Sequence, residues 1–433
     1  MIYLIGIKGS GMAALACMLH DIGESVSGSD IEKHIFTEDE LHRRNIPVYP
    51  FLAHKILDHS TVVIGNAFLE DFEEVQRARA NKTLKIFRYH EFLGKLMENY
   101  RTIAIAGSHG KTTTTNMVST MMGQFFNTGH LIGDGDGLLG KNDRYLVAEA
   151  CEYRRHFLAY RPQIAVITNV DIDHVDYFKD EEDYASAYEQ FSKNVSEVCI
   201  VFGDDPRSRN LKLSSSVLFY GVEDGNDVQA YDIVETPTST SFDVTILGNH
   251  FGRFELPFVG THMLYNSLAS ITIGYLEGLT AVQCNQGLSM FKGAKRRFVI
   301  TQVKDSIFID DYAHHPTEVS VTVDAARKRY PDMTLIAIFK PHRVSRVLHF
   351  AKEFAQALSK ADVVALCPFT SIDDKEEGID IDITYLANMI EGSFIVDENE
   401  EDAMRLAEYK PAVYLFMSSK DIYNLSDSVK RYQ

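Results

Sequence analysis

The segment Ala106-Gly-Ser-His-Gly-Lys-Thr-Thr113 has residue types and spacing suited to holding a nucleoside triphosphate. It follows an apolar run, Thr102–Ala106, and opens a helical pattern, Lys111–Gln124. Glycines let a backbone come close to phosphates, and the free N–H groups and dipole at a helix start favour negative charge. Gly107, Ser108, His109, Gly110, Lys111, Thr112 and Thr113 are therefore the candidate nucleotide contacts. Lys111 can reach the β- and γ-phosphates, and the Thr112 hydroxyl can hold Mg2+. The loop is shorter than G-x-x-x-x-G-K-[ST], because position 105 is Ile105. Its plainer alternative is a glycine-rich strand–helix turn.

A second glycine loop, Gly6-Ile-Lys-Gly9-Ser-Gly11, also lies between a strand and a helix pattern, and Asp30 follows about twenty residues later. The spacing is G-x-x-G-x-G instead of the dinucleotide pattern G-x-G-x-x-G. A diphosphate at the helix start fits it better than NAD does; tight helix-on-strand packing without a ligand is the alternative. Glu149 ends the strand-like Tyr145–Ala148, and His174 follows Ile164–Thr168 in Asp173-His174. Ligands of open α/β sheets gather at carboxyl ends of strands, so Glu149, His174 and Thr112 form the candidate Mg2+ (or Mn2+) set. Imidazole is the less usual ligand for Mg2+, and surface capping is the alternative for either residue alone. Two later segments, Asp310-Asp-Tyr-Ala-His314-His315-Pro316 and Lys340-Pro-His342-Arg343-Val-Ser-Arg346, again follow apolar runs. Guanidinium groups there suit a carboxylate or phosphate, which they bind in a bidentate way. Helix capping by Asp311 or Ser345 among solvated basic residues is the alternative.

The elements that must position these residues read as three α/β units. In the first, Tyr3–Ile7, Ser25–Gly28 and Val62–Gly65 are strand-like, and Gly11–Ile22 is a helix. The second begins near Arg101 and adds Val198–Phe202. Between Ser216 and Pro257 it turns β-rich, which predicts an antiparallel region packed on the central sheet. Helices are expected at Met263–Glu277 and Ala281–Phe291. The third unit has strands at Ile307–Ile309, Leu335–Phe339, Val363–Leu366 and Val413–Phe416, with helices Pro316–Lys328 and Ser345–Leu358 between. The expected domains are thus 1–99 (Rossmann-like), 100–293 (phosphate-loop α/β with the antiparallel region) and 294–433 (Rossmann-like).

Composition is ordinary for a soluble globular protein. The chain has 433 residues, 45% hydrophobic and 24% charged, with net charge −18. Without a basic block, neither nucleic acid nor an anionic membrane is an expected partner. The first apolar run is too short for a signal peptide, and no run is long enough to span a bilayer. The five cysteines are scattered, with no C-x-x-C, which fits a reducing cytoplasm.

Taken in order, these segments resemble the Mur ligase family over nearly the whole chain. The similarity is carried by Gly107-Ser-His-Gly-Lys-Thr-Thr113, Asn169…Asp173-His174, Gly293-Ala-Lys-Arg-Arg-Phe298, Asp310-Asp-Tyr-Ala-His-His-Pro-Thr-Glu318 and Pro341-His-Arg-Val-Ser-Arg346. Within the family, His109 and the paired His314-His315 favour the branch that takes L-alanine. Cys151-Glu-Tyr-Arg-Arg-His-Phe157 is similar to one group of that branch. The resemblance implies ATP-dependent ligation of L-alanine to UDP-N-acetylmuramate, by a monomer or homodimer. It implies UDP-sugar contacts at Gly9, Ser10, Gly11, Met12, Asp30 and Asn66. The nucleotide held by Gly107–Thr113 would be ATP, with further contacts at His262, Asn266, Arg297 and Asp310. L-Alanine would lie near His314, His342, Arg343 and Arg346, and Lys111, Glu149, His174 and His314 would be catalytic. Two positions depart from the family pattern: Met263 replaces an Asn, and Ser418-Ser419-Lys420-Asp421 replaces a glycine-rich turn. A family member that attaches a preformed murein peptide shares most of these motifs and is the alternative. More distant alternatives are a nucleotide-dependent switch and a nicotinamide oxidoreductase.

Overall fold

The computed structural model describes residues 1–293, 296–369 and 379–433. Ala294 and Lys295, where the third unit was expected to start, lie outside the described residues. Three sheets follow one another along the chain.

The first is a five-stranded parallel sheet in the order Val48–Pro50, Val26–Asp30, Ile2–Ile5, Thr61–Ile64, Lys85–Arg88. Its inner strands are almost wholly buried, although Val26–Asp30 carries Ser27, Ser29 and Asp30 into that interior. Strand Ile2–Ile5 stops before Gly6, whose φ of +82° turns the chain into the loop ahead of helix Ser10–Asp21.

The central sheet has ten strands, with Ile164–Ile167, Arg101–Ala106 and Tyr145–Glu149 adjacent and parallel at its middle. The antiparallel strands Val228–Glu235, Thr240–Ile246 and Asn249–Leu256 do not pack on this sheet, as their alternation suggested; they extend its edge. Tyr220 pairs with Val228, so the hydrogen-bond ladder runs on from the parallel part. Their alternating burial (Thr240, Phe242, Val244 and Ile246 inward) faces a core under helices Thr261–Leu276 and Ala281–Ser289. Helix Ala281–Ser289 also covers the outer strand, where Asn285 Oδ1 accepts from Glu255 N at 3.0 Å. At the opposite edge, the two-residue strand Gly137–Leu138 lies against helix Ser10–Asp21.

The third sheet has six strands, ordered Val299–Val303, Ser306–Asp311, Ala412–Met417, Thr334–Phe339, Val363–Leu366, Phe394–Ile395. The first pairing is antiparallel and the rest parallel. The expected helix Ser345–Leu358 is two helices, Val344–His349 and Ala351–Leu358, broken at Phe350. Phe350 takes φ −112°, and its ring meets His315 edge-on at 4.9 Å. A tertiary contact has overridden a continuous helical pattern.

The first two sheets share a core. Ala13, Ala14, Leu15 and Met18 join one cluster with Leu139, Ala148 and Phe157. A Cβ on Gly137 would stand 2.2 Å from the Ala14 carbonyl oxygen, so backbone meets backbone there. The third domain has its own clusters, to which the central domain adds only the partly buried Ile172 and Val175. Among the described residues, no helix is long and apolar enough to cross a membrane.

Candidate active site

Strand Arg101–Ala106 delivers the phosphate-type loop, and helix Lys111–Gly123 leaves it. Gly107 has φ +129°, and a Cβ there would lie 2.0 Å from Thr168 Oγ1. Only glycine lets this loop sit against the end of strand Ile164–Ile167. Ser108 Oγ and Tyr184 OH are 2.7 Å apart beneath the loop, and Ser108 Oγ accepts from Asp171 N at 2.9 Å.

Strand ends beside the loop bring the expected charged groups together. Thr112 donates to Glu149 Oε1 at 2.6 Å. Burial pushes the Glu149 carboxyl upward, against Thr112 and Lys111. The Lys111 ammonium donates to the carbonyls of Gly107 and Ser108 and pairs with Glu152 Oε2 at 3.0 Å. Burial disfavours the Lys111 charge, but Glu152 holds its pKa above the ordinary value. Glu152 is 1% exposed, and its other oxygen lies 3.4 Å from His174 Nε2. His174 has φ +55°, and its Nδ1 is buried without a partner. The sequence showed Glu152 inside a quoted segment, but its link to both Lys111 and His174 needed the fold.

On the other side of the loop, His109, Gly110 and Thr113 line a cavity of about 1120 Å³ between the central and third domains. His262, Asn266, Arg297 and Met263 line it too. Burial and the Arg297 charge lower the His262 pKa to about 4, which keeps the ring neutral. Asp310 is not brought to this cavity; Asp311 is. Successive strand residues face opposite sides, and Asp310 instead accepts from Tyr423 OH at 3.0 Å. Asp311 accepts from Phe298 N and Ala313 N, both at 2.7 Å. Burial raises the Asp311 pKa to about 6, with Arg297 opposing.

Polar groups join the central and third domains around the cavity. His109 bridges two carboxylates, Asp171 Oδ2 at 3.3 Å and Glu318 Oε1 at 3.4 Å, and its ring lies tilted against that of His315 with centroids 4.5 Å apart. Burial opposes its charge, but the two carboxylates raise its pKa to about 9. Thr317 donates to Asp171 at 2.6 Å. Arg346, 4% exposed, donates to Asp173 Oδ1 through Nη2 at 2.7 Å and Nε at 3.1 Å. Burial would raise Asp173, yet Arg346 and nearby histidines hold it well below the usual range. Arg343 pairs with Asp176 at 2.7 Å. His314 Nδ1 lies 3.1 Å from Glu318 Oε2 and 3.0 Å from the Tyr312 carbonyl. His342 Nδ1 meets Ser419 Oγ at 3.2 Å, and burial, then Lys420, lowers its pKa to about 2. The Ser418–Lys420 turn has no positive φ; Arg296 ties the carbonyls of Ser418 and Lys420 at 2.8 Å each.

The first domain places Gly9, Ser10, Gly11 and Met12 at the start of a helix whose first turn no side chain caps. Asp30 is turned inward, accepting from Lys8 N at 2.7 Å and Ile31 N at 2.8 Å, so it braces the loop. Asn66 lies between two histidines: its Oδ1 is 2.9 Å from His90 Nδ1 and its Nδ2 is 3.1 Å from His156 Nδ1. Those rings stack at 4.4 Å, and burial lowers the pKa of both.

Comparison with known proteins agrees with this layout. Family profiles match consecutively: "Mur ligase family, catalytic domain" over residues 1–101, "Mur ligase middle domain" over 105–274 and "Mur ligase, glutamate ligase domain" over 296–419. Among solved structures, UDP-N-acetylmuramate-alanine ligase MurC from Thermotoga maritima is 25% identical, with TM-score 0.81, covering 100% of this chain and 99% of its own. A murein peptide ligase from Psychrobacter arcticus is 22% identical, with TM-score 0.73 and coverage of 100% and 98%. MurF ligase from Thermotoga maritima, solved in complex with ADP, is 18% identical, with TM-score 0.66 and coverage of 94% and 95%.

Proposed function

The chain belongs to the Mur ligase family of ATP-dependent ligases, and on that premise we propose that it joins L-alanine to the carboxylate of UDP-N-acetylmuramate. The observation that carries this reading is the phosphate-type loop with Lys111, Thr112, Glu149 and His174 on one side and a two-domain cavity on the other. The reaction would belong to peptidoglycan-precursor synthesis in the cytoplasm. Domains 1–99, 100–293 and 294–433 would take the sugar nucleotide, ATP and the amino acid.

Thr112 and Glu149 fit Mg2+: a hydroxyl and a buried carboxylate stand 2.6 Å apart, oxygen donors of the kind this ion prefers. His174, with its unpartnered Nδ1, is the third candidate ligand. When bound, the ion neutralises charge on the transferring phosphoryl group. The substrate carboxylate attacks the γ-phosphorus, forming an acyl phosphate and releasing ADP. Lys111 offsets the charge spread over the phosphoryl oxygens. The amine of L-alanine then attacks the acyl carbon, loses a proton to His174 or His314, and expels phosphate. Asp311 replaces Asp310 as the strand's cavity-facing carboxylate. His342, Arg343 and Arg346 lie on the third domain's side and would take the amino-acid carboxylate.

Phosphate release from ATP and Mg2+ tests the reading, with UDP-N-acetylmuramate present and L-alanine, a murein tripeptide or no acceptor added. Release that requires both the sugar nucleotide and L-alanine is expected. Release only with the tripeptide would move the assignment to a peptide-attaching ligase. Release indifferent to the sugar nucleotide would overturn it.

A further inference from the structure

The segment from Glu152 to His156 touches all three domains. Glu152 pairs with Lys111 and lies near His174. His156 reaches Asn66 and His90 of the first domain. Tyr153, between them, faces the third domain. Its ring lies on His174 with centroids 4.5 Å apart, and the Arg343 guanidinium stands 5.3 Å from its centroid. Its hydroxyl donates to Asp176 Oδ2 at 2.8 Å, the same oxygen that pairs with Arg343 Nη1 at 2.7 Å. Tyr153 therefore contacts both His174 and the Arg343 guanidinium, and Asp176 ties Tyr153 to Arg343.

The backbone holding Tyr153 is in an unfavourable conformation. Arg154 and Arg155 have φ of +50° and +60°, two left-handed non-glycine residues in succession. Such conformations persist where surrounding contacts over-determine them, and they cluster at functional sites. Here Arg155 is anchored to Asp183 Oδ1 at 2.6 Å and Ser186 Oγ at 3.0 Å. Arg343 itself has φ +68°, at the start of helix Val344–His349. Two strained turns from different domains thus meet through one aromatic ring and one carboxylate.

We propose that Tyr153, with Asp176, is a docking cradle that positions Arg343 for the amino-acid acceptor. The inference rests on the ligase reading above. Tyr153 is a positioning residue, acting through Arg343 and not on the reacting atoms. The ring face attracts the guanidinium, and the hydroxyl fixes the carboxylate that orients it. Neither Tyr153 nor Asp176 lines the cavity between the central and third domains, and the hydroxyl's contact is with Asp176 and not with His174, so loss of the hydroxyl alone should act on the acceptor.

Tyr153→Phe keeps the ring and removes the hydroxyl; Tyr153→Leu removes both. Steady-state kinetics should give an acceptor KM raised about tenfold for Tyr153→Phe, the loss of one charge-assisted hydrogen bond. Tyr153→Leu should raise it further, while KM for ATP and for the sugar nucleotide stay near wild type in Tyr153→Phe, which keeps the ring against His174. A Tyr153→Leu enzyme with an unchanged acceptor KM would overturn the proposal, as would all three KM values rising in parallel in Tyr153→Phe. Amide hydrogen exchange of Val344–His349 in the full chain gives a readout independent of turnover. Protection there should fall in Tyr153→Leu, and unchanged protection would overturn the docking role. Loss of protection in a chain whose wild type joins no amino acid would refute the ligase reading and leave the docking contact standing.

Discussion

The central domain meets its two neighbours in opposite ways. Toward the first domain the contact is built on a shared apolar core, with polar contacts such as Asn66–His156 beside it, and helix Ser10–Asp21 presses against Gly137–Leu138 with backbone near backbone. Toward the third domain the contact is made by charged and hydrogen-bonded groups: Arg346–Asp173, Arg343–Asp176, His109 between Asp171 and Glu318, and Lys328–Glu235. Apolar burial is non-directional and tolerates no water, whereas ion pairs can be remade in water at modest cost. The difference teaches which part should move. The first two domains form one body, and the third should dock and release, closing the cavity around substrates and excluding the water that would hydrolyse an acyl phosphate.

The comparison breaks most readily at its strongest polar contact. Arg346→Ala strands the Asp173 carboxylate, and losing one partner of a buried pair costs about 3–5 kcal/mol. The third domain should undock, seen as a larger radius of gyration by small-angle scattering with ATP analogue and substrates, while the melting of the first two domains stays in place. If scattering is unchanged, the third domain is held by something other than these pairs. Gly137→Val attacks the other interface. Overpacking there should cost about 1–3 kcal/mol and lower the thermal midpoint of the joined first and central domains, with docking of the third unaffected.

Acidity sharpens the contrast further. His109 has a pKa raised to about 9, so its stabilisation is fully present below the ordinary value near 6.5 and is lost as pH rises through 9. Hydrogen exchange of helix Pro316–Arg329 should therefore speed up between pH 8 and pH 10, beyond the intrinsic rise, while helix Ser10–Asp21 keeps its protection. His109→Gln should abolish that difference. The smallest effect belongs to Lys328→Ala, which removes a largely exposed pair worth about 0–1 kcal/mol. Scattering in low salt should register it weakly, and added salt should erase it.

Much of this was legible in the residues. Val198–Phe202 and Val363–Leu366 were read with their observed limits because each is a short apolar run that begins directly after an acidic residue, Glu197 or Asp362. The phosphate-type loop was legible because glycines, Lys111 and Thr112 sit at a strand–helix junction. What escaped depended on facing and on long-range partners. Whether Asp310 or Asp311 meets the cavity is decided by the register of strand Ser306–Asp311 against its neighbours. The break at Phe350 coincides with its ring contact to His315, 35 positions away by residue number. Glu318 carries a local signal, three residues after His315 in a capping box, but its reach to His109 and Arg297 follows only from domain packing. The antiparallel strands were recognised by alternation, which says that one face is buried and not which sheet they join.

The two edges of the ten-stranded sheet carry a practical consequence. One edge is capped within the central domain by helix Ala281–Ser289 and Asn285. The other has helix Ser10–Asp21 of the first domain as its cover. An uncovered strand edge invites pairing with other chains. The first domain is thus also a shield against self-association, and a fragment starting at residue 100 should precipitate even though every strand of its sheet is encoded within it.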